Sequence, residues 1–122
     1  MGWYKRNHAA NACTYCGLVS DTKDHVPPQS VRPFLESVGE KRFPFLLVPA
    51  CRECNCALGA KTLWTVRERK EYIKRWLEKR YAKVLSMPGW SDDEIQTLGP
   101  TLATDVVAAI VQRNMIRERL KW

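Results

Sequence analysis

The apolar positions of this chain change character near residue 65. Before it, hydrophobic residues come in short runs cut by proline, glycine and cysteine, the signature of short strands and turns. Lys23 to Val26 reads as a strand ended by Pro27-Pro28, because proline cannot donate to a ladder. Pro33 opens a short helical piece, Phe34 to Val38, closed by Gly39. Phe43 to Val48 reads as a second strand, with Pro44 confining its start to an edge and Pro49 ending it. Cys51 to Asn55 then opens a helix. Beyond Thr65 the period becomes helical. Thr65-Val66-Arg67-Glu68 has capping-box form, and Ile73, Trp76, Leu77, Val84 and Leu85 recur along one face. Met87-Pro88-Gly89 breaks that helix, and Ser91 to Glu94 caps a short one. A last helix starts at Pro100 or Thr101, with Leu102, Val106, Ile110 and Val111 directed inward. Trp3 and Tyr4 read as packing anchors, and Trp64, Trp76 and Trp90 as core. The predicted fold class is α+β, with a core over residues 1–62 and a basic α-helical extension over 63–122 that packs on it.

The composition changes this picture in one respect. Apolar residues make up 45% of the 122 positions and charged residues 27%, ordinary for a folded globular chain. But 20 Lys and Arg stand against 13 Asp and Glu, a net charge of +7, which suits a polyanionic partner. No stretch approaches the roughly 20 apolar residues that span a bilayer, which excludes a helical membrane protein. The N-terminus lacks the apolar segment of a signal peptide, so a cytoplasmic location is expected.

Reduced thiols are the rule in that compartment, and the cysteines are spaced for metal. Cys13-x-x-Cys16 and Cys51-x-x-Cys54 are two knuckles, each able to aim two thiolates at one ion. Gly17 suits the positive φ that turns the chain back under the metal. Four thiolates complete a tetrahedral zinc shell and leave no position for water, so this zinc is structural. In small modules such a site contributes folding energy on the order of 10 kcal/mol. His8 is read as a surface histidine, the shell being already complete. Cys56 is left as a free thiol.

Three further residues carry chemistry. Asp24 and His25 lie side by side ahead of Pro27-Pro28, and Asn55 directly follows the last cysteine. A carboxylate and an amide oxygen suit a hard ion such as Mg²⁺ or Mn²⁺ that keeps several waters. A neutral imidazole can take a proton from water at physiological pH. On an extended strand Asp24 and His25 face opposite sides, so the strand is expected to end or bulge there.

The joint pattern is Cys-x-x-Cys, then Asp24-His25-Val26-Pro27-Pro28, then Val48-Pro49-Ala50-Cys51-x-x-Cys54-Asn55. It resembles the HNH, or ββα-metal, endonuclease superfamily, in the branch stapled by a four-cysteine zinc. The resemblance covers about residues 13–62. It implies a ββα-metal core in which His25 is the general base, and Asp24 and Asn55 hold the catalytic Mg²⁺ or Mn²⁺. Cys13, Cys16, Cys51 and Cys54 would hold the structural zinc. Asn55 stands where many members have a histidine; phage junction-resolving members of the superfamily have Asn there, as the second metal ligand. Between Phe43 and Val48 nothing matches the family's middle asparagine. The resemblance further implies a DNA partner and, for a phage-encoded chain, the host cytoplasm. A monomer would nick, whereas a homodimer would cut both strands.

Residues 61–83 carry nine Lys or Arg against three Glu. One reading is a basic helix lying along phosphates, with Lys61, Arg67, Lys70 and Lys74 as nucleic-acid contacts beside Arg52, and Lys5 and Arg6 as further cations. The other is a solvated amphipathic helix with pairs such as Glu71 and Arg75. For the whole chain, the alternative to a nuclease is a zinc-ribbon-like module that binds nucleic acid without cutting. A disulfide scaffold is the third and remotest reading.

Overall fold

A computed structural model describes residues 5–6 in backbone, and residues 12–59 and 61–122 in full. Trp3, Tyr4, His8 and the side chains of Lys5 and Arg6 lie outside the described residues. The fold mixes strands and helices: β1 (Lys5–Arg6), β2 (Thr22–Val26), α1 (Arg32–Ser37), β3 (Leu46–Ala50), α2 (Arg52–Leu58), α3 (Val66–Arg80), α4 (Ala82–Leu85), α5 (Asp92–Gln96) and α6 (Pro100–Lys121). It divides into two compact units. One runs to Trp76 and takes in Trp122, and the other is Leu77–Lys121. The division falls inside α3. The first unit thus reaches past residue 62, because Arg69 on α3 is tied to Asp24 on β2.

In the first unit, β3 is the central strand of a three-stranded sheet, parallel to β1 and antiparallel to β2. β2 pairs without a bulge from Thr22 against Ala50 to Val26 against Leu46. It ends where the two prolines were expected to end it, and the Val26–Pro27 peptide is cis. Strict alternation buries Asp24 and Val26 and leaves Lys23 exposed and His25 half-buried.

The second strand differs from its reading as Phe43 to Val48, because Pro49 lies inside β3. Pro49 pairs with Lys23, yet its carbonyl accepts from Thr14 N at 2.9 Å and Thr14 Oγ1 at 2.8 Å. N and carbonyl of one strand residue face the same neighbour. The missing donor therefore points away from β2, and among the described residues β1 pairs at Leu46 and Leu47, so no bond of the β2–β3 ladder is lost. Proline here cannot break the strand.

β3 leads directly into α2, whose N-cap is Cys51; its sulfur accepts from Cys54 N at 3.5 Å. Gly59, at φ +50, closes α2 by donating from N to Asn55 O at 3.0 Å. Trp64 meets Phe43 and Phe34 edge-on, with ring centroids 5.3 and 6.5 Å apart.

Both predicted capping boxes are present. Thr65 and Glu68 exchange bonds at the start of α3, as do Ser91 and Glu94 at α5. In the second unit α6 contacts α4 and α5. Val106 and Ile116 are buried on α6, but Leu102 and Val111 are exposed, contrary to expectation. The buried face runs through Ala103, Val106, Ile110, Arg113 and Ile116. Leu102 lies off it, as does the stripe of Val107, Val111 and Met115. Trp90 is exposed as well, and so does not belong to the core. Among the described residues no helix is long and apolar enough to cross a membrane.

Candidate functional site

The four knuckle cysteines converge. Their sulfurs lie within 4.8 Å of one another, all buried, and Cys16 and Cys51 are 3.7 Å apart through sulfur. A tetrahedral zinc–thiolate shell with bonds of about 2.3 Å sets sulfurs roughly 3.8 Å apart, so the cluster has the dimensions of a four-thiolate metal site. Backbone amides help hold the sulfurs: Tyr15 N donates to Cys13 Sγ at 3.4 Å, and Cys54 N to Cys51 Sγ. Gly17 adopts φ +80 as the knuckle turns, donating to Cys13 O at 2.9 Å.

Crowding splits the titration of the four thiols. Hydrogen bonds from Cys16, Cys51 and Cys54 drive Cys13 far below the ordinary thiol range. Cys54 is driven up, first by its hydrogen bond with Cys13, and so is Cys51. Cys16 settles at about 6, pushed up by Cys13 but pulled further down by Cys51 and Cys54. Thiols this close oppose one another's ionisation. Only a cation at its centre lets all four be thiolates together.

Asp24, His25 and Asn55 border one open cavity of about 250 Å³, which Arg69 and the 28–30 turn also line. The strand was expected to break at Asp24-His25; instead the ladder continues one residue further, so the two side chains keep opposite faces. Both border the cavity because it lies at the end of β2, where the chain turns through Pro28.

Asn55 is aimed by its neighbours. Its Nδ2 donates to Thr22 Oγ1 and to Lys23 O, both at 3.1 Å. Thr22 Oγ1 in turn donates to Ala50 O at 2.6 Å. The Lys23 carbonyl can only accept, which fixes the amide nitrogen toward β2 and leaves Oδ1 as the spare acceptor.

Asp24 is held from two sides. Arg69 Nε and Nη2 reach Oδ2 and Oδ1 at 2.8 and 2.9 Å, and the Tyr15 hydroxyl donates to Oδ2 at 2.5 Å. Asp24 is 5% exposed and Arg69 1%. The remaining guanidinium nitrogen, Nη1, donates to Leu63 O at 2.9 Å. Burial, followed by the charge of Asp24, pushes the Tyr15 phenol above its ordinary range. A carboxylate offers about four acceptor positions; three are used, and the fourth is on Oδ1. Asp24 and Asn55 both border the cavity, each with an oxygen position that no hydrogen bond described above uses.

Arg69 and Tyr15 were not singled out from the sequence. Arg69 had a signal: it shares the stripe of Ile73 and Leu77, at i, i+4 and i+8, where a cation must have a buried partner. It was counted instead with the cations of a basic helix, and its burial removes it from that set. Tyr15, between two cysteines, had none. Of the expected nucleic-acid contacts, Arg52, Lys61 and Arg67 are exposed, and Lys70 and Lys74 are half-buried. Arg67, Lys70 and Lys74 share one stripe of α3, at i, i+3 and i+7. Lys61 lies over the Tyr72 ring at 5.1 Å, Arg52 is 4.0 Å from Asp21, and Arg67 is 3.4 Å from Glu71.

Family models, curated proteins and solved structures offer no match to this chain.

Proposed function

We propose that this chain is a metal-dependent endonuclease or nickase of the ββα-metal (HNH) type, hydrolysing phosphodiester bonds in DNA. What supports this reading is the common cavity of Asp24, His25 and Asn55, reached from residues far apart in sequence. Strand, strand and helix run in the order β2, β3, α2, as the resemblance requires, and the knuckles staple both ends of that unit. In this reading zinc on Cys13, Cys16, Cys51 and Cys54 is structural.

Asp24 Oδ1 and Asn55 Oδ1 would hold Mg²⁺ or Mn²⁺. Bound there, such an ion would supply charge neutralisation at the phosphate and at the departing 3′ oxygen. His25 takes the proton from a water whose oxygen attacks phosphorus; the P–O3′ bond breaks as the new P–O bond forms, and the departing 3′ oxygen takes a proton from solvent water. Tyr15 and Arg69 keep the Asp24 carboxylate fixed while this happens. Arg67, Lys70 and Lys74, with Arg52 and Lys61, contact backbone phosphates. General-base catalysis contributes about 10²–10⁴-fold. His25→Ala should therefore lower plasmid nicking in Mg²⁺ or Mn²⁺ by at least about a hundredfold while keeping the zinc and the fold. Equal cutting by mutant and wild type removes the proposal.

A second reading draws on the engagement of Asp24 by Arg69 and Tyr15, which a structural carboxylate would show equally. It makes the chain a zinc-ribbon-like module that binds nucleic acid without cutting. Salt-dependent DNA binding, with no cleavage under any divalent ion, would favour it.

A further inference from the structure

The guanidinium on Asp24 comes from α3, outside the segment that resembles a nuclease. We infer that Arg69 is a positioning residue for Asp24 and acts as its resident cation: it holds the carboxylate in place and weakens divalent-ion binding at the Asp24–Asn55 cavity by sharing the same oxygen donor. The inference rests on the reading of Asp24 and Asn55 as ion ligands.

Alternation along β2 turns Asp24 inward, where an ionised carboxylate needs a counter-charge. Arg69 supplies it with a planar fork, and its third nitrogen on Leu63 O keeps that fork from rotating. Tyr15 closes the other side of Oδ2. Rotation of the carboxylate is thereby blocked, and the unused position on Oδ1 has one direction. An ion bound there would share its carboxylate with a full positive charge. Repulsion between the two cations outweighs the orientation that the fork provides, because Tyr15 also orients the carboxylate. The cavity is thus assembled without the divalent ion, which then binds weakly.

The same network ties the cavity to the cysteine cluster. Tyr15, which holds Asp24, lies between Cys13 and Cys16, and Asn55, which borders the cavity, follows Cys54. Arg69 arrives from α3, and its charge can be removed by substitution without touching the cysteines.

The test is a Mn²⁺ titration of the zinc-loaded full chain, read by calorimetry and by the shift in melting temperature. Arg69→Met should bind Mn²⁺ at least tenfold more tightly than wild type and gain more in melting temperature. Arg69→Lys, keeping the charge, should stay near wild type, and Asp24→Asn in the Arg69→Met background should abolish the gain. Equal or weaker binding by Arg69→Met overturns the inference, as does an absence of binding in both proteins. If Arg69→Met is unfolded alone, folding induced by Mn²⁺ supports the inference, and failure to fold in saturating Mn²⁺ overturns it. Plasmid cleavage measured in parallel separates the two claims. Tighter binding without cutting would leave Arg69's role standing and remove the nuclease. Cutting with unchanged affinity would do the reverse.

Discussion

Replacing Asp24 by alanine should cost this protein a large part of its stability, for a reason that has little to do with packing. The substitution removes two charge-assisted bonds at 2.8 and 2.9 Å and leaves a guanidinium that is 1% exposed with only the Leu63 carbonyl. It also strips the Tyr15 hydroxyl of its acceptor. Breaking a buried pair from one side costs about 3–5 kcal/mol, and an orphaned buried hydroxyl about 1–3 kcal/mol. The two overlap, since one carboxylate serves both, so we expect a loss of about 4 kcal/mol. With a urea slope of about 2 kcal/mol per molar, the midpoint should fall by about 2 M. Urea unfolding of the zinc-loaded protein, followed by tryptophan fluorescence, measures this. Asp24→Leu combined with Arg69→Met removes both charges and should recover most of the loss. Arg67→Ala, which breaks an exposed pair at 3.4 Å, should scarcely move the midpoint. A loss under about 1 kcal/mol for Asp24→Ala, or a double variant as unstable as the sum of the singles, would refute the account of this network.

Tyr15→Phe should destabilise by about 1 kcal/mol, the net worth of one hydrogen bond. Because the native phenol is pushed up, its contribution is complete below the ordinary phenol value near 10 and fades as pH rises beyond it. The stability gap between wild type and Tyr15→Phe, measured by urea unfolding from pH 8 to 11, should therefore narrow at the alkaline end. The chain should carry one zinc by native mass spectrometry, and chelation should unfold the first unit, seen as loss of circular dichroism. Zinc affinity should fall as pH is lowered, because cysteine thiols must lose protons to bind; competition with a chromophoric chelator reads this. Lys70→Ala with Lys74→Ala should reduce the slope of log binding against log salt by about 2 on duplex DNA, measured by fluorescence anisotropy.

What the sequence disclosed depended on how local the determinant was. The thiolate spacing, the caps at Thr65 and Ser91, and the stop at Pro27-Pro28 are set within a few residues, and each is found where it was read. Asn55 could be placed because it rides on Cys54. Pro49 was misjudged because its tolerance in β3 depends on which neighbour its nitrogen faces, a tertiary fact. Leu102 and Val111 were misjudged because α6 has apolar residues on more than one side. Spacing alone does not say which stripe its neighbours cover. Arg69 was the costliest omission: a cation on the stripe of Ile73 and Leu77 pointed to a buried acid, but the density of lysine and arginine around it suggested a solvated face.

The most direct test of a divalent-ion site built from Asp24, Asn55 and His25 is anomalous diffraction from crystals of the zinc-loaded chain soaked in Mn²⁺. The account predicts a manganese peak in the cavity, within bonding distance of Asp24 Oδ1 and Asn55 Oδ1, with a water in hydrogen-bond reach of His25. An empty cavity at saturating Mn²⁺, with manganese bound elsewhere or nowhere, would contradict it.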